Sequence, residues 1–351
     1  MLSIARMSRM SGAAMLLIVS LAHAQNGPAP APAPASPPQS FISGVGNFSH
    51  IVADLDKSLA FYRDVIGLQP NAPPRPFDGN PAIMKLGNTL NAQSRFVALS
   101  VPGSAIGVEL IDYKDIERTA AHPRFQDPGA ANLILRVRDL DVIVERLKKF
   151  GSKILTAGGV PVTIGNGGRV LFIQDPDGFV IELGQAAAPR AGAVQPPAPA
   201  GAPAQPQGNI VGGGFEVAIE DTGKTVDFYQ KVLGFRLMAG TTFNNDKVMN
   251  DTAGVPGGAF KQSRGLIPGT MTNIVFIEFA NVDRNPLKTR VQDPGTAILQ
   301  LMVRDMDGLM KTLKANNANI ITTGGEPVSL GPSKLVIVRD PNNLFLEFIQ
   351  R

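Results

Sequence analysis

Cysteine is absent from the 351 residues, and histidine occurs only three times, at His23, His50 and His122. Without a thiol there is no disulfide, no thiolate metal site and no cysteine nucleophile. So few histidines also leave no Ser/His/Asp grouping to argue for. His122 precedes Pro123 in a loop-like stretch, where a surface residue is expected, whereas His50 lies in the apolar run 47–52. Gly165, Gly167 and Gly168 flank Asn166 in a glycine-rich stretch that opens no helix, so a phosphate loop is not expected. No strand-like run leads through GxGxxG into a helix, which removes nucleotide and flavin cofactors. Chemistry in this chain therefore falls to oxygen: carboxylates able to act as general bases or to hold a hard cation, and amides beside them.

The elements that must position such groups come from a duplication. Residues 127–159, DPGAANLILRVRDLDVIVERLKKFGSKILTAGG, return as 293–325, DPGTAILQLMVRDMDGLMKTLKANNANIITTGG. A repeat unit of more than about 100 residues is too long for a solenoid module and signals two copies of one domain. Within the unit, 132–137 is a strand-like run and Asp139 is a good helix N-cap. Leu140, Ile143, Val144, Leu147 and Phe150 share one helical face, and Gly151 closes the helix. A shorter strand-to-helix start lies upstream in each half, at 47–62 and at 214–229. Strand-like runs follow at 82–86, 95–101, 105–112, 153–156, 169–173 and 179–183. Each half thus reads as βαβββ twice, with a longer Gly/Asn/Thr-rich loop at 241–267 in the second.

The flanking segments are different in kind. Arg6 and Arg9, an apolar run at 13–21 and Ala22-His23-Ala24 form a signal peptide pattern over 1–24, so a cleaved, periplasmic or secreted protein with no stable membrane anchor is expected. Proline and alanine dominate 25–41, a tether, and 187–208, a linker. The expected domains are then 42–186 and 209–351. Net charge is only +4 with no basic stripe and no tryptophan, which gives nucleic-acid binding no support.

Three stretches, DLDKSLAFYRDVIGL at 54–68, VRDLDVIVERLKKFG at 137–151 and DPDGFVIEL at 175–183, resemble the signatures of the vicinal oxygen chelate superfamily. That superfamily holds glyoxalase I, bleomycin-resistance proteins and extradiol dioxygenases. The resemblance implies an α+β fold of two tandem domains, each a pair of βαβββ modules forming a curved mixed sheet around a cleft. It also implies a divalent metal held by four strands. Carried over to this chain, the four positions fall on Asn47, Glu109, Asn132 and Glu182 in the first half, and on Gly214, Glu278, Ile298 and Glu347 in the second. Glu216 and Gln300 lie one alternation step further on the same faces. Both histidines of the family pattern are missing. His50 lies three residues past Asn47, so alternation sends it to the opposite face. Arg136 shares the face of Asn132 and is available to hold a glutamate.

Two classes of function follow from this resemblance. One is a small-molecule binding protein with no cofactor. The other is a metal-assisted lyase, isomerase or dioxygenase in which Glu109 and Glu182 serve as catalytic groups. Any cation held by this oxygen set is expected to be Mg²⁺, Mn²⁺ or Ca²⁺ rather than zinc. The partner is a small-molecule ligand, with pairing of the halves inside the chain or a homodimer both open.

Overall fold

The computed structural model describes residues 40–165, 167–188 and 207–351. The expected signal peptide, most of the tether, the middle of the linker and Asn166 lie outside them. Among the described residues no helix is long and apolar enough to cross a membrane.

Four modules follow one another. The first contains β1 (Ile42–Ile51), α1 (Leu55–Ala60) continuing as a π turn (Phe61–Ile66), β2 (Gln69–Pro70), α2 (Pro81–Leu86), β3 (Gln93–Ser100) and β4 (Gly107–Lys114). The second contains β5 (Ala131–Val137), α3 (Leu140–Phe150), β6 (Val162–Thr163), β7 (Arg169–Gln174) and β8 (Val180–Gln185). The third repeats the first, with β9 (Ile210–Ile219), α4 (Thr222–Asp227), β10 (Arg236–Met238), α5 (Lys247–Thr252), β11 (Ala259–Leu266) and β12 (Asn273–Ala280). The fourth holds β13 (Ala297–Val303), α6 (Met306–Ala315), β14 (Asn319–Ile320), β15 (Val328–Leu330), β16 (Ser333–Arg339) and β17 (Phe345–Gln350).

The helices α1, α3, α4 and α6 each start at an aspartate, Asp54, Asp139, Asp221 or Asp305, whose side chain accepts otherwise unpaired backbone N–H groups. Three local expectations change. Residues 82–86 are helical, because Asn80 caps Ala82 N and Pro81 occupies the first turn. The loop at 241–267 holds α5, capped by Asp246, and β11. Residues 153–156 make only an isolated bridge, Ile154 with Ile173.

The fold is α+β, with two tandem domains and two mixed sheets as expected, and its modules pair across the halves. One sheet runs β14-β16-β17-β13-β1-β4-β3-β2, with β15 on β16, and the other runs β10-β11-β12-β9-β5-β8-β7-β6. Modules one and four therefore share a sheet, as do two and three, through the antiparallel seams β1/β13 and β5/β9. The segments 42–186 and 209–351 do not each close a cleft, and the described residues form one compact unit. Every module opens with an apolar strand whose free edge must be paired, and that demand is met equally by either half. Alternation then divides the strand side chains between two faces. One face of both sheets packs with α1, α3, α4 and α6 in a continuous core. The opposite face carries two separate apolar clusters, one around Ile51, Ile298 and Phe345, the other around Phe125, Phe172 and Phe279. These two faces are the clefts.

Candidate functional site

In the first sheet Glu109 on β4 and Glu347 on β17 face each other across β1 and β13, one from each half of the chain. The amide of Gln300 on β13 lies between them, its Nε2 donating to Glu109 Oε2 and to Glu347 Oε2, both at 3.0 Å. Its Oε1 accepts from Asn47 N at 2.9 Å, and Ser49 Oγ donates to Glu109 Oε2 at 2.7 Å. A bulge in β1 between Val45 and Phe48 makes room for this amide. Gly46 is required there, since a Cβ would stand 2.9 Å from Gln300 Oε1. Burial raises both carboxyls; Glu347 reaches about 8 with help from the charge on Glu109, and the Gln300 bond opposes the rise in each. Around them the cleft is packed with Ile51, Tyr113, Ile298 and Phe345.

The second sheet arranges its acids differently. Glu216 on β9 lies opposite Asn132 on β5, and Glu182 on β8 lies beside Ile134 one step along the same face. Where the first cleft has Gln300, the repeat places Ile134, so no amide joins the two carboxyls. Glu216 is 3 % exposed, and neither its Oε1 nor Asn132 Nδ2 has a hydrogen-bond partner. Burial pushes Glu182 up to about 7. Glu216 is held well above the ordinary carboxylate range, first by burial and then by the charge on Glu182. Both acids line a cavity of about 40 Å³ with Phe125, Phe172, Phe260 and Phe279 as walls. Phe125 packs against Phe172 and Phe279 with ring centroids 5.3 Å apart in each case. Met249, Asn250 and Ala253, on and just after α5, form its roof.

Residues 44–183 and 213–348 both match the model of the Glyoxalase/Bleomycin resistance protein/Dioxygenase superfamily. The chain belongs to this superfamily. Among solved structures, glyoxalase I from Zea mays is similar at 16% identity and a TM-score of 0.56, over 88% of this chain and 92% of that one. A putative dioxygenase from Bacillus subtilis subsp. subtilis str. 168 is similar at 13% identity and a TM-score of 0.53, over 89% and 86% of the two chains. At these identities the likeness is one of fold. No curated protein sequence matches.

Within the superfamily's pattern, the structure separates residues that the sequence groups together. Asn47 and Glu109 belong to the first sheet, Asn132 and Glu182 to the second, so these four do not share a cleft. Ile298 and Glu347 complete the first set; Gly214 and Glu182, with Asn132, belong to the second. Glu278 does not face a cleft at all. The pairing of Ser49 with Glu109 corresponds to that of Glu216 with Val275, which makes Val275 the structural counterpart of Glu109. Three residues on, Glu278 points to the helix side, accepts from Thr222 N at 2.8 Å and Thr222 Oγ1 at 2.6 Å, and pairs with Lys261 at 3.0 Å. Arg136 is exposed at the far end of β5 beside Gly212 and holds neither glutamate.

His50 also lies on the helix side, fully buried, its Nε2 2.8 Å from Asp175 Oδ2 and its ring 4.6 Å from that of Phe179. Burial lowers its pKa, but the charge and contact of Asp175 outweigh this and the net shift is upward. His50, Asp175 and Asp177 are close enough to share a cation. Their oxygens are already engaged, however. Asp175 accepts from Tyr62 Oη and from the backbone of Asp177 and Phe179, and Asp177 accepts from Ala53 N and Ser58 Oγ. The second half builds the same latch from Asp340, Asn342 and Tyr229, with Val217 in place of His50. His122 is exposed in its loop. The residues missed by sequence reasoning are the wall phenylalanines and the roof of the second cleft, which the alternation of 275–279 and the helix cap at Asp246 could have marked.

Proposed function

We propose that this protein is an exported small-molecule binding protein whose ligand enters the cleft of the second sheet, and that neither cleft holds the superfamily's metal. The observation that carries this is the cavity under α5, where the half-buried Glu182 and the buried Glu216, the latter with an unpaired oxygen, sit among four phenylalanines. Such apolar pockets with a few convergent polar groups are the usual form of ligand sites. At ~10–15 Å³ of such volume per water, the cavity has room for only a few waters, so its walls have to give way to admit a ligand. The first cleft is packed with Ile51, Tyr113, Ile298 and Phe345 around the Gln300 amide.

The donors do not suit a metal in either cleft. In the first, Gln300 Nε2 stands where a cation bridging Glu109 and Glu347 would stand, and it presents hydrogens rather than a lone pair. In the second, the four pattern positions are Gly214, Val275, Asn132 and Glu182, with one charged ligand among them. A metal-dependent enzyme using Glu109 together with Glu182 is disfavoured further, because the two glutamates belong to different sheets. Export rests on the signal peptide pattern at 1–24, and intact mass of native protein beginning at Gln25 is the expected result; mass that includes Met1–Ala24 would remove it.

The test of the cleft is cavity filling. Ala253→Leu puts extra methyl groups into the cavity roof and is expected to abolish binding of small aromatic compounds while the protein stays folded by circular dichroism. Undiminished binding by this variant would place the ligand elsewhere.

A further inference from the structure

The cavity of the second sheet pairs an acidic floor with aromatic walls and contains no cation of its own. From β7, β11, β12 and α5 the cavity is lined by Phe172, Gln262, Ile277 and Asn250, and β5 sets Asn132 opposite Glu216; none of these titrates. The ionisable residues on these elements are turned elsewhere or already paired. Lys261 is paired with Glu278, Lys247 with Asp251 on the outer surface of α5, and Arg169 with Asp141. Arg136 is exposed at the far end of β5 and Arg264 at that of β11. In the first cleft, by contrast, the Gln300 amide supplies donors to both acids.

A desolvated carboxylate facing aromatic rings, with an oxygen lacking any donor, is matched by a group that brings positive charge and N–H donors together. We infer that the ligand of this cleft is an organic cation, a protonated amine or amidine on a flat or apolar body, whose charged end takes in the second cleft the place that the Gln300 amide holds in the first. This inference rests on the proposed ligand cleft and names its chemistry. Each part of the site has a task. Glu182 and Glu216 accept the ammonium hydrogens, the faces of Phe172 and Phe279 hold the adjoining apolar part, and α5 closes over it. Because burial and mutual repulsion keep the empty pair partly protonated, entry of the cation expels a proton to solvent and leaves a carboxylate–ammonium pair.

The test is calorimetric titration of the mature protein with benzylammonium, benzyl alcohol and benzoate at pH 6 and pH 8, in two buffers of different ionisation enthalpy. Benzylammonium is expected to bind at least about tenfold more tightly than benzyl alcohol at pH 8. For one group titrating near 7, its affinity should fall about tenfold at pH 6, with an enthalpy that depends on the buffer. The double variant Glu182→Gln, Glu216→Gln should remove both the pH dependence and the preference, with its melting temperature as the control for folding. Equal, pH-independent binding of alcohol and ammonium would overturn the cation while leaving the cleft as a binding site. Tighter binding of benzoate would do the same. Failure of all three to bind, with Met249 undisturbed in methyl NMR spectra, would remove the cleft reading as well. Stoichiometric uptake of Ca²⁺, Mg²⁺ or Mn²⁺ that displaces benzylammonium would assign the charge to an inorganic ion and overturn the proposal.

Discussion

Gln300 and Ile134 occupy equivalent positions, and the difference between them separates two clefts built from the same repeat. Gln300 serves two acids, the buried Glu347 and the half-buried Glu109, with one amide. Removing it leaves the buried Glu347 without a donor and the half-buried Glu109 with Ser49 alone, so Gln300→Leu is expected to destabilise the protein by about 2 kcal/mol, the scale of one buried polar group left unpaired. Urea unfolding at pH 9 measures this, and the loss should shrink at pH 6, where Glu347 is protonated. A cost under about 0.5 kcal/mol, within the range of neutral surface changes, would mean that the amide bridge does not form.

The raised acids also set the pH profile. Glu182 titrates at about 7 and Glu347 at about 8 in the folded protein, both above the ordinary 4.5. Groups raised on folding bind more protons in the native state, so their contribution is complete below the unfolded value and is lost as pH rises through the folded one. His50, also raised, acts in the same direction. The melting temperature of the ligand-free protein should therefore fall between pH 5.5 and pH 8.5. The double substitution Glu182→Gln, Glu347→Gln should flatten that slope; an unchanged slope would assign it to other groups.

At the scale of elements, the two short helices over the clefts are each tied down by a threonine from the other half of the chain. Thr156 Oγ1 donates to Thr252 O at 2.9 Å and accepts from Phe172 N at 2.8 Å, which anchors α5 to β7. Thr322 Oγ1 donates to Leu86 O at 3.1 Å and accepts from Ile337 N at 2.8 Å, which anchors α2 to β16. Thr156→Val removes both bonds of the first pair and should cost about 1–2 kcal/mol. Amide exchange should accelerate in 247–258 and remain slow in 81–87; uniform acceleration would show that α5 does not open on its own. These helices were illegible in the sequence because six-residue helices carry too little periodicity, and only Asn80-Pro81 and Asp246 mark their starts. The long helices were legible for the opposite reason: α3 shows three apolar turns between Asp139 and Gly151. Glu278 was misplaced by three residues, since the IEF context at 277–279 imitates the GVEL of 107–110 while the strand register puts Val275 there.

At the scale of the whole molecule, the repeat unit read from sequence and the structural unit differ. Period and motif give four modules, but partner choice is decided by strand edges that all four share, and no residue pattern along one strand states which edge it joins. Cutting the chain at a protease site inserted between 189 and 206 should leave two fragments that co-elute and retain the melting curve, because both sheets still join them. Residues 40–188 expressed alone should aggregate or remain unfolded through their bare β1 and β5 edges; a stable monomer of that segment would favour pairing within each half. The central claim concerns which cleft works. Methyl NMR on methionine-labelled protein reads both at once, since Met249 roofs the cavity of the second sheet and Met84 is buried in the apolar cluster of the first. On titration with benzylammonium the Met249 signal is predicted to shift and that of Met84 to stay in place, whereas a shift at Met84 with Met249 silent would contradict the account.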